Sequence, residues 1–204
     1  MIQMLFPLLL ATLAHAAPCT YSSWTWDTKS KTSVNHQKVV TKTESLTKEE
    51  RGTVAGCTVC EEDQIEVRLT GLPAFKVCRG FEKKFARAVE RAAKDGFPFE
   101  TIVAYRPGKS KGPVDSKGLR TEFSNHSFGT AIDINSEKNG LYDDCVKFSP
   151  RCRLIRGGKY DPSVKGTVTR ESGIYKAMLS EGLKWGGEIE AKQKDFMHFS
   201  IDGM

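Results

Sequence analysis

Beyond residue 17 the chain carries three histidines, His36, His126 and His198. Imidazole is the commonest protein ligand for zinc, and three protein ligands with one open position make the catalytic form of such a site. His126 and His198 lie in the two stretches of most constrained composition, FSNHSFGTAIDIN and GLKWGGEIEAKQKDFMHFS. His36 lies instead in a polar stretch rich in Thr, Lys and Ser. Asp133 follows His126 after Gly129, where the chain can turn tightly. By residue type alone two readings stay open. The trio could hold a metal, or the histidines could be hydrogen-bonded or surface residues and the aspartate could simply end a strand.

The elements that would position these side chains are legible from periodicity. Ala131 to Ile134 reads as a strand in which Ile132 and Ile134 face a core and Asp133 projects from the polar face. Phe196 to Ile201 reads as a final strand, with His198 and Ser200 on one face and Phe199 and Ile201 on the other. Residues 79 to 95 read as a helix, because Phe81, Phe85, Ala88, Val89 and Ala92 recur at three- and four-residue steps. Gly96 and Pro98 stop it. Glu171 to Leu183 reads as a second helix, closed by Gly186 and Gly187. QIEVRLTGL alternates as an exposed strand would, and Thr101 to Ala104 is a short strand running into Tyr105-Arg106-Pro107. Gly108 to Gly118 reads as a loop rich in Gly and Lys. Helices and short strands mix without regular βαβ alternation, which predicts an α+β domain with a small, mostly antiparallel sheet and flanking helices.

Length and composition fit one domain with an elaborated terminus: 204 residues, 27% of them charged and 39% hydrophobic. The first seventeen residues, MIQMLFPLLLATLAHAA, read as a signal peptide with an A-x-A-type cleavage site. Their apolar run of about ten residues falls short of the roughly 20 that span a bilayer. Residues 18–60 form a polar arm, with Trp24 and Trp26 in a short strand or extended segment laid on the domain. Residues 61–204 form the main domain. The net charge of +6 comes from scattered Lys and Arg and reads as a solvated basic surface, with no nucleic-acid partner and no stable membrane insertion implied. All six cysteines follow the leader, as disulfides in an exported protein would. Cys145 and Cys152 bracket a short loop and are natural partners. Cys19, Cys57, Cys60 and Cys78 allow three pairings, and the sequence does not choose among them.

Two ordered motifs add a resemblance. Ser124-Asn125-His126-Ser127-Phe128-Gly129-Thr130-Ala131-Ile132-Asp133 resembles the S-x-H-x-x-G-x-A-x-D signature of D-Ala-D-Ala-type zinc carboxypeptidases. That family includes VanY-type enzymes and phage endolysin peptidases and shares a fold with hedgehog signalling domains. Gly182-Leu183-Lys184-Trp185-Gly186-Gly187-Glu188, followed by Asp195-x-x-His198-Phe199, resembles its second signature. The resemblance covers roughly residues 75 to 202. It implies zinc bound by His126, Asp133 and His198, with Asp195 as the general base acting from the entrance to the strand of His198. It also implies that Arg106 holds the substrate and stabilises the oxyanion. A guanidinium beside a polarised carbonyl would do so on physical grounds, and it could equally pair with a carboxylate for structural reasons. Ser124 is expected to be a hydrogen-bond partner near the site, Trp185 to pack under the metal strand, and Glu188 to contact the substrate or support the ligands. Ile189 stands where many relatives have Trp, which puts a substrate subsite in doubt. The implied protein is an exported, monomeric zinc peptidase acting on peptidoglycan stem peptides, as a carboxypeptidase more than an endopeptidase. Its rival is a non-catalytic zinc-containing module of the same fold that binds the envelope.

Overall fold

A computed structural model describes residues 17–203, so the expected signal peptide lies outside the described residues except for Ala17. The polar arm is more than a short strand. Strands β1 (Pro18–Asp27) and β2 (Thr32–Lys42) form a long antiparallel hairpin. Along β1 the alternate residues Cys19, Tyr21 and Ser23 are buried, as the period of two requires. Cys19 and Tyr21 join Leu46, Val59 and Cys60 in a small core of their own. A one-turn helix, α1 (Lys48–Arg51), follows; the Thr47 side chain accepts from the Glu50 amide while the Glu50 carboxylate accepts from the Thr47 amide.

The remaining elements are β3 (Gln64–Val67), β4 (Phe75–Cys78), α2 (Glu82–Lys94), β5 (Ile102–Val103), β6 (Lys109–Val114) and β7 (Arg120–Phe123). They are followed by β8 (Ala131–Ile134), β9 (Leu141–Asp143), β10 (Arg153–Arg156), α3 (Gly173–Ser180), β11 (Lys184–Trp185), β12 (Lys194–Asp195) and β13 (His198–Ser200). The architecture is α+β, but the strands divide among four sheets in the described residues rather than forming one small sheet. Their orders are β2-β1-β6-β7, β10-β9-β12, β11-β13-β8-β5 and β3-β4. Pairing is antiparallel throughout, apart from a single parallel contact between β1 and β6 at Thr25 and Lys109. The stretch expected to be a Gly- and Lys-rich loop is therefore largely strand. Its pairing partners are the distant hairpin and β7, and partners supplied from elsewhere in the chain leave no mark in local composition. Two register shifts within the β6–β7 pair fit its irregular sequence.

Helix α2 buries the predicted face: Phe85, Ala88, Val89 and Ala92 are fully buried. It begins three residues later than its periodicity implies, because Arg79–Phe81 wind as a tighter 3-10 turn. Helix α3 is shorter than Glu171 to Leu183. Its N-terminus is set by Ser172, whose side chain accepts from the Tyr175 amide. Ile174, Ala177 and Met178 of α3 meet the buried face of α2 above Ile132, Ile134 and Phe199 of the β11-β13-β8-β5 sheet. Arg87 clamps the pair from outside by donating from Nε and Nη2 to the Glu181 carboxylate. Truncating Phe85 to Ala would cost about 3–5 kcal/mol through lost transfer energy and the cavity left behind.

All six cysteines are paired, Cys19 with Cys60, Cys57 with Cys78 and Cys145 with Cys152. The short-loop pair is the expected one. Cys57 and Cys60, close in sequence, go to different partners and so tie the hairpin and β4 to the same segment. Three disulfides fit an oxidising, extracellular setting. No helix of the described residues is long and apolar enough to cross a membrane.

Candidate metal centre

The central sheet brings Asp133 and His198 together. In the β8–β13 pairing they are direct partners, so their side chains leave the same face of the sheet. The next pair, Ile132 and Phe199, leaves the opposite face and is fully buried in the main core. Alternation along each strand thus separates the core-forming side from the chemical side.

His126 reaches the same point from a 3-10 turn, Asn125–Phe128, that leads into β8. Gly129 ends the turn at φ 63°, ψ 25°, a left-handed conformation that L side chains rarely adopt. A Cβ there would also press on the Cys78 amide, which donates to the Gly129 carbonyl at 2.9 Å. This turn is fixed on its other side by Ser127, whose Oγ donates to the Gly108 carbonyl at 3.1 Å and accepts from the Gly108 amide at 3.0 Å. Ser124, the expected hydrogen-bonding residue, has a buried Oγ without a partner among the described residues. Ser127 performs that supporting role.

The three side chains converge on one another. His126 Nε2 lies 3.0 Å from Asp133 Oδ1 and 3.2 Å from His198 Nδ1, and these last two atoms are 3.1 Å apart. All three residues are buried. His126 Nδ1 donates to the Ala104 carbonyl at 2.8 Å, so the proton of a neutral imidazole belongs on Nδ1 and Nε2 presents a lone pair. Burial pulls the pKa of His126 down to about 4, against the charge of Asp133, so the second proton is absent at neutral pH. An imidazole lone pair therefore faces a carboxylate oxygen at close range with no proton available from His126 to join them.

Asp133 is the ionised member. Burial opposes its charge, but the adjoining His126 and His198, with His198 Nδ1 donating to Oδ1, hold it well below the usual carboxylate range. For His198 burial favours the neutral form, and the Asp133 hydrogen bond and charge outweigh it, raising its pKa. His198 Nε2 is buried without a partner. Clustered acceptors of this kind fit a metal ion. Bonds of about 2.0–2.1 Å to one tetrahedral zinc would put neighbouring ligand atoms about 3.3 Å apart, close to the separations found here. His36 is elsewhere, exposed on β2 with its Nε2 at 3.0 Å from Ser33 Oγ.

Asp195 does not sit at the entrance to the strand of His198. It ends the separate strand β12, which pairs with β9, and the chain turns through Phe196 and Met197 before β13 begins. The chain changes partners here: the Phe196 amide still donates to the Gly140 carbonyl beside β9, the Met197 carbonyl accepts from the Ile134 amide of β8, and the Trp185 indole Nε1 donates to the Phe196 carbonyl at 2.9 Å. Trp185 also packs on Phe199 in the core below the site, as expected. Asp195 still faces the cluster. Burial, then the charge of Asp133, pushes its carboxyl pKa up to about 7, and its Oδ1 is buried without a hydrogen bond. Gly186 makes this approach possible, because a Cβ there would stand 3.0 Å from the Asp195 Cβ and 3.1 Å from the His198 Cβ.

Arg106 enters from the segment after β5. Its amide donates to the His126 carbonyl at 3.0 Å, and its Nη2 donates to Asp133 Oδ2 at 3.2 Å. Its Nε and Nη1 are buried without partners. The structural pairing with Asp133 is therefore present, and it holds the guanidinium against the cluster. Glu188 is turned away to α3, accepting from Tyr175 Oη and Arg170 Nε, each at 2.9 Å. Two residues at the site carry no motif. Asn135 anchors the end of β8 by accepting from the Glu100 and Thr101 amides and donating to the Pro98 and Gly166 carbonyls. Arg156, from β10, stands close enough to feel the charges of Arg106, Asp133 and Asp195. Only the tertiary pairing of β10 with β9 brings it there.

Two buried imidazoles and a carboxylate, flanked by a protonatable carboxyl and a guanidinium, make the kind of constellation that metal-dependent hydrolases use. Residues 117–201 match the family described as D-alanyl-D-alanine carboxypeptidase, a family of peptidases. The matched segment contains His126, Asp133, Asp195 and His198, while Arg106 and the N-terminal hairpin lie outside it. No solved structure matches the chain.

Proposed function

We propose that this protein is an exported zinc peptidase that hydrolyses an amide bond in the peptide stem of peptidoglycan. Its core would be a monomeric hedgehog/DD-peptidase-like domain spanning residues 61–204. One observation carries the reading: the lone pair of His126 Nε2 stands 3.0 Å from Asp133 Oδ1 with no proton between them, an arrangement that a cation relieves. His126, Asp133 and His198 would hold zinc, which when bound supplies a Lewis acid for the scissile carbonyl and lowers the pKa of water towards neutrality.

The remaining work falls to the protein's own residues. Asp195, beside the cluster with Oδ1 buried and free of other partners, takes a proton from the attacking water at its carboxylate and passes it to the departing amine. One residue can serve both steps because the carboxylate that accepts the water's proton becomes the acid that donates it to the amine. Arg106 has two N–H groups, Nε and Nη1, without partners, and these would meet the negative charge that develops on the carbonyl oxygen. The Asp133 bond to Nη2 keeps the guanidinium in register for that task. The description of the matched family favours carboxypeptidase over endopeptidase action.

The test is release of amine from peptidoglycan stem peptides by the purified protein, with and without a chelator, beside Asp195→Ala. The expected outcome is hydrolysis that the chelator abolishes and zinc restores, with at least a hundredfold loss in the variant. Wild-type protein that retains zinc yet cleaves none of these peptides would favour a binding module. Protein that takes up no zinc would overturn the metal assignment.

A further inference from the structure

Arg156 has a position that the proposed chemistry does not use. In the β10-β9-β12 sheet, Arg156 and Asp195 are both paired with Leu141, one from each side. The three residues therefore form one row across the sheet, and directly paired residues project to the same face. Arg156 thus points to the side that Asp195 presents to the metal ligands, on the outer strand and with an exposed edge. No carboxylate lies within ion-pair distance of it among the described residues, although Arg153 of the same strand is paired with Asp143. Its guanidinium lies 5.8 Å from the Trp26 ring centroid, over the indole face contributed by the N-terminal hairpin.

Of the two guanidiniums in this corner, Arg106 engages Asp133 through Nη2, and Arg156 has no carboxylate partner of its own among the described residues. Arg106 keeps Nε and Nη1 buried and unpartnered, and Arg156 adds a full fork of donors at the rim. A guanidinium without a carboxylate partner is stabilised by an incoming anion, and its planar fork matches a carboxylate bidentately.

We propose that Arg156, braced by Trp26, is a specificity-determining residue that receives a carboxylate of the substrate peptide at the mouth of the site. The inference rests on the peptidase reading and adds to it the recognition of an anion. It also gives the N-terminal hairpin a part in the cleft: Trp26 is the surface against which the guanidinium is held. A terminal carboxylate and an acidic side chain share this chemistry, and substrates blocked at one or the other distinguish them.

The experiment measures KM and kcat on an N-acylated D-alanyl-D-alanine peptide, its C-terminal amide, and an analogue with an acidic residue upstream whose side chain is amidated. Wild type is compared with Arg156→Gln, Arg156→Lys and Trp26→Leu, all with zinc content measured. Loss of a charge-assisted pair predicts that Arg156→Gln raises KM about 10- to 100-fold for the peptide whose carboxylate is read. That variant leaves kcat within about threefold and does not change KM for the matching amide. Arg156→Lys recovers part of the loss, and Trp26→Leu weakens the same discrimination. Equal acid-to-amide KM ratios in wild type and Arg156→Gln, at unchanged zinc content, overturn the proposal. Should wild type cleave none of these peptides, the peptidase reading fails, and calorimetric binding of the same acid and amide pair judges Arg156 alone. Carboxylate-selective binding lost in Arg156→Gln upholds the anion site, and binding indifferent to the variant removes it.

Discussion

Asp195→Asn in zinc-free protein is the perturbation whose outcome the structure constrains most tightly. The carboxyl of Asp195 is pushed up from 3.8 to about 7 by burial and by Asp133. At about 1.4 kcal/mol per pH unit, ionising it in the folded protein costs up to about 4 kcal/mol. The residue is not wholly enclosed, although its Oδ1 is buried and unpartnered, so roughly 2–4 kcal/mol is expected. The folded state binds this proton more tightly than the unfolded state, so the contribution of Asp195 to stability falls as pH rises from about 4 to about 7 and is flat above. An asparagine has no such penalty. Urea unfolding of both proteins, disulfides intact and chelator present, should converge near pH 4. The variant should then become the more stable one by roughly 2–4 kcal/mol at pH 8. Zinc should shrink the gap, because a cation at His126, Asp133 and His198 favours the ionised carboxylate. A stability difference independent of pH, or one that favours wild type at pH 8, would refute the account of Asp195 as a desolvated carboxyl beside Asp133.

Two further outcomes follow from the ligand turn and from the exclusion of His36. Gly129→Ala forces a side chain into left-handed backbone against the Cys78 amide, so it should lose about 2 kcal/mol or more in denaturant unfolding and weaken zinc uptake, since His126 sits on that turn. A variant as stable as wild type would mean that the turn relaxes freely. His36→Ala should leave metal content at the wild-type level, whereas His126→Ala should lose it; elemental analysis after desalting decides, and zinc loss in the first variant would show the ligand set to be wrong.

Much of the site was legible because its signals are local. The turn at Gly129, the alternation in Ala131 to Ile134 and the apolar stripe of α2 each depend on neighbours a few residues away, and each recurs in the structure. The parts that sequence could not supply depend on partners far along the chain. Lys109–Val114 became a strand because β1 and β7 offered it hydrogen bonds. Asp195 left the strand of His198 because its segment pairs with β9, whereas the chain from Met197 onward pairs with β8. Glu188, conspicuous in its motif, was claimed by Arg170 and Tyr175.

The sequence by itself singled out the candidates for the chemistry, His126, Asp133 and His198 by residue type and Arg106 and Asp195 through the resemblance that the ordered motifs carry. It also determined the pairing of Cys145 with Cys152, because so short a loop leaves little choice. The tertiary structure decided that the His126, Asp133 and His198 side chains meet, with three candidate ligand atoms mutually 3.0–3.2 Å apart and all three residues buried. It decided the other two disulfides as well, and it brought Arg156 and Trp26 to the edge of the site. The physical reason is register: which strand lies beside which, and in what alignment, is fixed by how several distant segments bury their apolar faces together. No single stretch of the chain contains that information.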